Sequence, residues 1–422
     1  MQQFFQKILL HKQFQKLGIY GIGQLFNLVT PLLVMPYIIS VCGIENYGNI
    51  SISLALAFFM LVFIDYGSEI VSVRAVSINR TDPAKVSEIF LTTQAAKFIM
   101  MLVIIGSCLL LFSLVPYFKQ HYLLYILSLT IVIGQVLSPV WLLQGLEKYT
   151  LITIINITSK IIYVLLVLFL IKTETDFIYV NLYWGLGMIV SNLSILFYLD
   201  KIYKFKFSKK IFGQGLQYLK ENFKIFVSQV STSLQLYLPL MLIGWFGSSL
   251  LAGQFKVVEQ IIVIFRTYLL LFFNFIYPNI CYKLQEGFKK TIRYWSIANG
   301  ANFAFIAFFM VLVLIFRLDI IRHFSEENVE MLAQLLKVAL LIPIVQALQI
   351  PLKQLVLALE HTHYYVATSV LQTFLLVALI MISIQNFDLF AVIYSIIISE
   401  TIISFAYLYI LYKPERKTEI PQ

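Results

Sequence analysis

The sequence predicts an all-α polytopic membrane protein with about twelve transmembrane helices in two six-helix bundles. Three observations support this prediction: the composition, the spacing of the apolar segments and a weak internal repeat. Hydrophobic residues make up 60% of the 422 residues and charged residues only 12%, whereas roughly 25% of residues are charged in soluble domains. These values exclude a water-soluble enzyme, a secreted disulfide scaffold and a disordered chain.

Twelve apolar segments follow one another along the chain, and each approaches the roughly 20 residues that a membrane span needs. They lie at 17–42, 48–72, 86–115, 122–146, 150–172, 177–200, 222–247, 251–280, 292–316, 331–358, 363–385 and 389–412. The connections between them are too short for a folded extramembranous domain. We therefore expect an N-terminal bundle at 1–200, a basic cytoplasmic linker at 201–221, and a C-terminal bundle with a cytoplasmic tail at 222–422.

The basic residues predict the orientation of these spans. With the N-terminus inside, twenty-one Lys and Arg residues fall in inner segments and four in outer segments, as the positive-inside rule requires of cytoplasmic loops. Both termini are therefore expected in the cytoplasm. This bias accounts for the formal net charge of +10 without a nucleic-acid partner. The run at 17–42 is too long for a signal peptide and reads as an uncleaved first span.

Two segments in opposite halves of the chain resemble each other. In span 4, Pro139 is followed by Glu147 at the inner end, and in span 10, Pro351 is followed by Glu360. Six spans per half would give both halves the same orientation. The expected arrangement is therefore a parallel 6+6 repeat, of a kind common among transporters.

Span 8 carries a polar stripe on an otherwise apolar helix. One interpretation is a cavity lining, because polar groups in membrane helices usually face the bundle interior or water. The other is structural: Lys256 and Glu259 can neutralise each other at i,i+3, which leaves Arg266 without a local acid. The stripe consists of Lys256, Glu259, Gln260, Arg266, Thr267, Asn274 and Tyr277. Gln24 and Asn27 in span 1 and Gln235 in span 7 either line the same cavity or mediate helix–helix contacts.

Four acidic residues within spans are candidates for coupling to an ion gradient. Asp65 and Glu69 are spaced i,i+4 on one face of span 2, so that one of them would hold a proton or pair with a base elsewhere. The alternative is an interfacial pair solvated by lipid headgroups. Glu400 lies midway along span 12, where a charge is expensive, and Glu259 is the fourth.

The bases in the spans outnumber these acids by six to four. A net cationic interior suits an anionic cargo such as a phosphate or diphosphate. Lys97 and Lys160 look isolated and can either bind such an anion or extend toward the inner surface, while Arg74 lies at the inner boundary. The six bases are Lys97, Lys160, Lys256, Arg266, Lys337 and Lys353.

No cofactor or metal site is predicted. The sequence has no G-x-x-x-x-G-K-[ST] phosphate loop and no H-E-x-x-H motif. Cys42, Cys108 and Cys281 are far apart in the sequence and form neither a metal-binding spacing nor a disulfide framework.

Several segments, in order along most of the chain, resemble the Wzx-type O-antigen and polysaccharide repeat-unit flippases of the multidrug/oligosaccharidyl-lipid/polysaccharide exporter superfamily. The most specific is P-V-W-L-L-Q-G-L-E-K at 139–148. The other matching segments are Pro36–Gly48, Asp65-Tyr66-Gly67 with Arg74, Ser87–Phe90 with Lys97, Phe275–Pro278 and Leu341–Pro343. The sequence departs from the family at Ser68-Glu69 and around Gln254–Lys256, where the usual Ala-Ala pair is absent, although Glu259 stands where the helix 8 acid is expected.

The resemblance implies a MATE-like fold of twelve helices in two bundles around a central cavity, in a bacterial inner membrane. It implies transport, by alternating access, of an undecaprenyl-diphosphate-linked oligosaccharide to the periplasmic leaflet, with H⁺ or Na⁺ as coupling ion and a polysaccharide polymerase as a partner. The anionic head would contact Arg74, Lys97, Lys160, Lys256 and Arg266, and coupling would use Asp65, Glu69, Glu259 and Glu400. Two alternatives stay open: a cation-coupled multidrug antiporter of the same fold, and a membrane-embedded O-antigen polymerase or ligase.

Overall fold

The structure is a computed structural model that describes residues 2–205, 210–384 and 388–412. This part of the chain is helical and contains no β-strand. A 3-10 helix at Glu174–Tyr179 and a π-helix at Ile243–Gly247 complete it. The tail at 413–422, predicted to be cytoplasmic, lies outside the described residues. The α-helices are α1 (Gln2–Cys42), α2 (Ile44–Asp65), α3 (Val71–Ile78), α4 (Pro83–Leu114), α5 (Pro116–Lys119), α6 (Tyr122–Val136), α7 (Val140–Gly145), α8 (Tyr149–Leu170), α9 (Val180–Tyr203), α10 (Lys210–Glu221), α11 (Phe223–Leu242), α12 (Ser249–Glu286), α13 (Phe288–Ile315), α14 (Arg317–Phe324), α15 (Val329–Ala339), α16 (Leu341–Ala358), α17 (Thr362–Ile384) and α18 (Leu389–Tyr412).

Within the described residues, twelve helical segments are long and apolar enough to cross a membrane. An α-helix satisfies all its backbone hydrogen bonds internally, which a span must do in lipid. The predicted fold class, an all-α protein of about twelve spans, is therefore confirmed.

The chain divides into two compact units, Met1–Tyr237 and Leu238–Gln422, with the division inside α11. In the first unit, α8 packs against α1 and α9, and α9 packs against α6. The basic linker forms the short helix α10, which lies along α4. Gly215 permits this close approach, since a Cβ there would stand 3.0 Å from the backbone nitrogen of Ala96. In the second unit, α16, α17 and α18 pack together and α12 packs against α16.

The repeated segments of spans 4 and 10 end in the same turn. Glu147 and Glu360 both adopt left-handed backbone conformations, with φ of 55° and 61°. Each turn closes with a hydrogen bond between residues five positions apart. The Lys148 amide donates to the Leu143 carbonyl, and the His361 amide donates to the Val356 carbonyl. This is the six-to-one bond of a Schellman helix end. The sequence repeat therefore corresponds to a repeated local structure, at the position where each motif places its glutamate.

Span 2 ends earlier than predicted. The expected run of 48–72 is a helix only as far as Asp65, because Tyr66 and Gly67 take left-handed conformations with φ of 42° and 82°. The chain then turns and resumes as α3. Asp65 and Glu69 therefore do not share a helical face, and the expectation that they do is wrong. Gly67 is the residue that permits the turn, because glycine adopts positive φ without steric cost.

Small residues hold α8 and α9 together, as is common between membrane helices. A Cβ on Gly187 would stand 2.4 Å from the backbone oxygen of Ser159, whereas a Cβ on Gly106 in α4 would meet no atom within 4 Å. The close contact at Gly187 is with backbone, so it cannot be relieved by a side-chain rotation.

We expect Gly187→Ala to lower the free energy of unfolding by about 1–3 kcal/mol through overpacking. Gly106→Ala, the control, should be neutral or slightly stabilising, because alanine favours a helix by up to ~1 kcal/mol over glycine. Thermal unfolding of the two purified variants in detergent measures the difference. Equal melting temperatures of the two variants would show that α8 and α9 can move apart to accommodate the added methyl group without a loss of stability.

Candidate functional site

A buried ion pair joins the end of α2 to the middle of α4. The Lys97 ammonium lies 2.9 Å from Asp65 Oδ1, and the two side chains are only 2% and 13% exposed. Gln135 on α6 donates its amide to both Asp65 oxygens, at 3.0 and 2.8 Å. Three helices therefore converge on one carboxylate. The interpretation of Lys97 as an isolated base that extends to the surface is wrong, because its ammonium is held inside by Asp65.

Glu69 was predicted to lie within span 2, but α2 ends at Asp65 and Glu69 lies in the turn after it, where it is exposed. Repulsion from the Asp65 carboxylate raises the pKa of Glu69 to about 7, with partial desolvation of the Glu69 carboxyl as a second cause. The positive charge of Lys97 opposes this shift. Since Lys97 pairs with Asp65, the Glu69 carboxylate has no base of its own in this cluster. The pair of acids therefore changes charge near neutral pH through Glu69.

A chain of hydroxyl groups ties α10 to this cluster. Ser72 Oγ is 2.9 Å from both Thr93 Oγ1 and Tyr218 Oη. Thr93 precedes Lys97 by one turn of α4. The hydrogen-bonded hydroxyl groups therefore connect α10 to the face of α4 that carries the ion pair. No pattern in the sequence indicated Gln135, Ser72 or Tyr218. Gln135 and Tyr218 lie far from Asp65 along the chain, and Ser72 follows the turn at Tyr66 and Gly67, which helical spacing did not predict.

Lys160 is a buried cation without a carboxylate partner among the described residues. Its ammonium stands 3.2 Å from the centre of the Trp184 ring on α9, and its side chain is 7% exposed. A cation over an indole face is favourable, the more so when it is desolvated. The alternative that Lys160 extends to the inner surface is wrong. Its hydrocarbon stem helps to line an apolar groove of about 390 Å³ between α1 and α8.

Glu400 lies in a second buried cluster, in the other unit. Its side chain is 8% exposed, and its oxygens accept hydrogen bonds from Gln346 of α16 at 2.9 Å and Gln372 of α17 at 2.8 Å. Gln349 donates to Gln372 Oε1 at 3.4 Å. Within the described part of the chain, Glu400 has no salt bridge.

The polar stripe of α12 is only partly neutralised. The Lys256 ammonium lies 2.7 Å from Glu259 Oε2, so the i,i+3 pairing predicted as one alternative does form. Gln260 is buried, while Asn274 is exposed. Arg266 is half-buried, and its Nε is buried without a hydrogen-bond partner in the residues described.

The remaining candidates are less constrained. Arg74 is exposed on α3 and makes no ion pair with the described residues. Gln24 and Asn27 on α1 and Gln235 on α11 are half-buried, so their cavity-lining role stays a prediction.

Pairing reduces the predicted cationic excess to a few groups. Lys97 and Lys256 are held by acids, Lys353 lies 4.9 Å from the Tyr365 ring centre, and Lys337 is exposed. Of these six bases, the ones that are not exposed and have no acid partner among the described residues are therefore Lys160 in one unit, and Arg266 and Lys353 in the other.

The sequence matches a family model over residues 14–282, and that family is described as polysaccharide biosynthesis protein. A shorter match, 23% identical over 114 residues, is to the "Putative O-antigen transporter" of Escherichia coli (strain K12). It covers 27% of this chain and 28% of that protein's length.

Solved structures of two transporter types share the fold. An inward-facing MATE family multidrug resistance transporter of the MOP superfamily aligns over 93% of this chain and 96% of its own, with a TM-score of 0.73 and 13% identity. The lipid II flippase MurJ, in an inward closed conformation, aligns over 93% and 87%, with a TM-score of 0.69 and 14% identity. At such identities the likeness concerns the fold alone.

Proposed function

Because this chain belongs to the polysaccharide biosynthesis protein family, we propose that it is a flippase for a lipid-linked oligosaccharide. The cargo is an undecaprenyl-diphosphate-linked repeat unit of Wzx type, moved from the cytoplasmic to the periplasmic leaflet of a bacterial inner membrane by alternating access. The observation that carries the proposal is the family match over residues 14–282. The short similarity to an O-antigen transporter and the fold shared with a lipid II flippase support it.

The charged groups suit such a cargo. The diphosphate of such a cargo is esterified at both ends and is a dianion at neutral pH, and a guanidinium binds phosphate oxygens in a bidentate manner. Among the described residues, the Nε of Arg266 on α12 is buried without a hydrogen-bond partner. Arg74 makes no ion pair with the described residues. Lys160 lies beside an apolar groove, as expected for a lipid whose polar head meets a hydrocarbon chain. Lys97 and Lys256 contact the head only if they leave their acids.

The acidic residues would couple transport to an ion gradient. Glu69 changes its charge near neutral pH beside the Asp65–Lys97 pair, and Glu259 can be released from Lys256 when the latter meets the cargo. The cytoplasmic placement of both termini follows from the bias of basic residues. A membrane-bound polysaccharide polymerase would receive the translocated unit.

The proposal predicts flipping in a purified system. The full-length protein, reconstituted in vesicles with a fluorescent undecaprenyl-diphosphate oligosaccharide, should expose inner-leaflet sugar to an external glycosidase faster than protein-free vesicles do. Vesicles that contain an unrelated polytopic protein are the control. An absence of flipping together with gradient-driven export of cationic dyes would replace this function with that of a multidrug antiporter. Lengthening of the glycan would indicate a polymerase.

A further inference from the structure

We propose that α10 docks on the anionic phospholipid headgroups of the adjacent leaflet, and that this contact steadies the Asp65–Lys97 cluster. The helix belongs to the basic linker between α9 and α11. Its position, its exposed faces and its charge support the docking, and a chain of hydroxyl groups supports the connection to the cluster. The docking does not depend on the transport function proposed above.

The position of α10 is at the end of the apolar part of α4. The α4 span has 32 residues, whereas a helix needs only about 20 to cross the hydrocarbon. Residues 98–114 carry no charge, and the charged residues of α4 all precede them. α10 crosses α4 at this boundary: the ring centres of Phe212 and Phe98 are 6.4 Å apart, and Gly215 packs against Ala96. This places α10 at the depth of the lipid headgroups.

The faces of α10 differ in polarity and exposure. Ile211 and Gly215 face α4 and are buried. Phe212 and Leu216 lie about a third of a turn further round the helix and are 53% and 58% exposed. The third face is polar and exposed, and it carries Lys210, Gln214, Gln217, Lys220 and Glu221. An exposed apolar stripe beside a basic face is typical of a helix that lies in the membrane interface.

The charge of this segment indicates which lipid it meets. The exposed lysines, none of which forms an ion pair with a described residue, are Lys201, Lys204, Lys210, Lys220 and Lys224. Of the two acids in the segment, Glu221 accepts a hydrogen bond from Gln217 and Asp200 accepts one from the Phe205 amide. Each lysine near an anionic leaflet adds to the attraction. Anionic headgroups therefore fit this surface better than zwitterionic ones.

The buried side of α10 connects the docked helix to the ion pair. Tyr218 Oη lies 2.9 Å from Ser72 Oγ on α3, and Ser72 Oγ lies 2.9 Å from Thr93 Oγ1 on α4. Thr93 is one turn before Lys97. A helix held on the lipid surface keeps these hydroxyl groups together, whereas a helix that leaves the surface loosens α3.

Anionic lipid should therefore slow amide hydrogen exchange in α10, because exchange reports local opening. We would compare the purified full-length protein in nanodiscs of dioleoylphosphatidylglycerol with the same protein in nanodiscs of dioleoylphosphatidylcholine. Exchange at 210–221 should be slower in the anionic lipid by roughly tenfold or more, and exchange at 71–78 should slow as well. High salt should reduce the difference, because it screens the headgroup charge.

The lysines of α10 carry the lipid dependence. Lys210→Gln/Lys220→Gln should lose most of the difference between the two lipids at 210–221. The matched control is Lys289→Gln/Lys290→Gln, which removes two exposed charges from α13 and should leave the lipid dependence of α10 unchanged. A lipid dependence that persists in Lys210→Gln/Lys220→Gln, or that is lost equally in the control, would overturn the docking.

Tyr218→Phe tests the connection to the ion pair, because it removes only the hydroxyl that meets Ser72. The variant should keep the slower exchange at 210–221 in anionic lipid and lose it at 71–78. Equal exchange of the wild type at 210–221 in the two lipids would show that lipid charge does not hold α10, and would leave a protein partner as the occupant of this face. A wild type in which only 210–221 responds would refute the connection to the cluster. None of these measurements requires transport, so a failure to flip lipid would leave the docking standing.

Discussion

Replacement of Lys97 by methionine is expected to lower the free energy of unfolding by about 3–5 kcal/mol. The reason is the environment of its partner: Asp65 is 13% exposed, and a buried charge that loses its counter-ion retains the cost of desolvation. Gln135 would still donate to both oxygens, but an amide brings no charge. Thermal or denaturant unfolding of the purified variant, at matched detergent and pH, measures the effect.

The same helix offers a control. Lys85 and Glu88 of α4 form an ion pair at 2.8 Å, but their side chains are 48% and 50% exposed. Exposed pairs contribute roughly 0–1 kcal/mol, so Lys85→Met should change stability little. The double variant Asp65→Asn/Lys97→Met removes both charges and should recover much of the lost stability. If Lys97→Met and Lys85→Met lower the stability by the same amount, the Asp65–Lys97 pair is solvated in the folded protein.

Glu69→Gln separates the coupling role of this cluster from its structural role. Glu69 is exposed in the turn after α2, so its neutralisation leaves the Asp65–Lys97 pair and its packing in place. A loss of gradient-driven transport in Glu69→Gln at normal melting temperature would therefore indicate that Glu69 takes part in ion coupling. A loss of transport seen only when Asp65 or Lys97 is changed would indicate that the cluster stabilises the fold instead.

The spans could be predicted because a membrane helix is specified by its own sequence. Length and apolar content suffice, since every backbone hydrogen bond is made within the segment. The pair Lys256–Glu259 was predictable for the same reason, because i,i+3 residues meet on any helix. Local rules failed where the helix itself ended: Asp65 and Glu69 have helical spacing, but Gly67 lies between them and permits a left-handed turn.

The other contacts depend on how separate helices pack. Lys97 meets Asp65 across 32 positions, and Glu400 meets Gln346 across 54. No periodicity within one span indicates which face of a neighbour it will contact. Sequence reasoning could state that a charge inside a span needs a partner or a function. It could not say that Lys97 meets an acid, that Lys160 meets a tryptophan ring or that the partners of the Glu400 carboxylate among the described residues are amides.

Arg266 is the residue whose loss should affect cargo binding most directly. Its neighbours one turn away, Ile262, Val263, Leu269 and Leu270, are all apolar. Its Nε is buried without a partner among the described residues, although buried donors are normally satisfied. An anionic group of the cargo would supply the missing acceptor. Arg266 should therefore contribute to transport more than to folding.

We expect Arg266→Ala to slow flipping of the diphosphate-linked oligosaccharide by roughly 10- to 100-fold, the equivalent of one to two charge-assisted hydrogen bonds. Arg266→Lys should be impaired less, because it keeps the charge but loses the bidentate geometry. The control is Arg322→Ala, which removes a guanidinium from the same unit, in α14, where the side chain is 65% exposed and lies 3.7 Å from Asp319. The readout is the glycosidase assay in vesicles that contain equal amounts of folded protein. If Arg266→Ala flips the lipid at the wild-type rate, Arg266 does not bind the diphosphate, and the polar stripe of α12 serves helix packing instead.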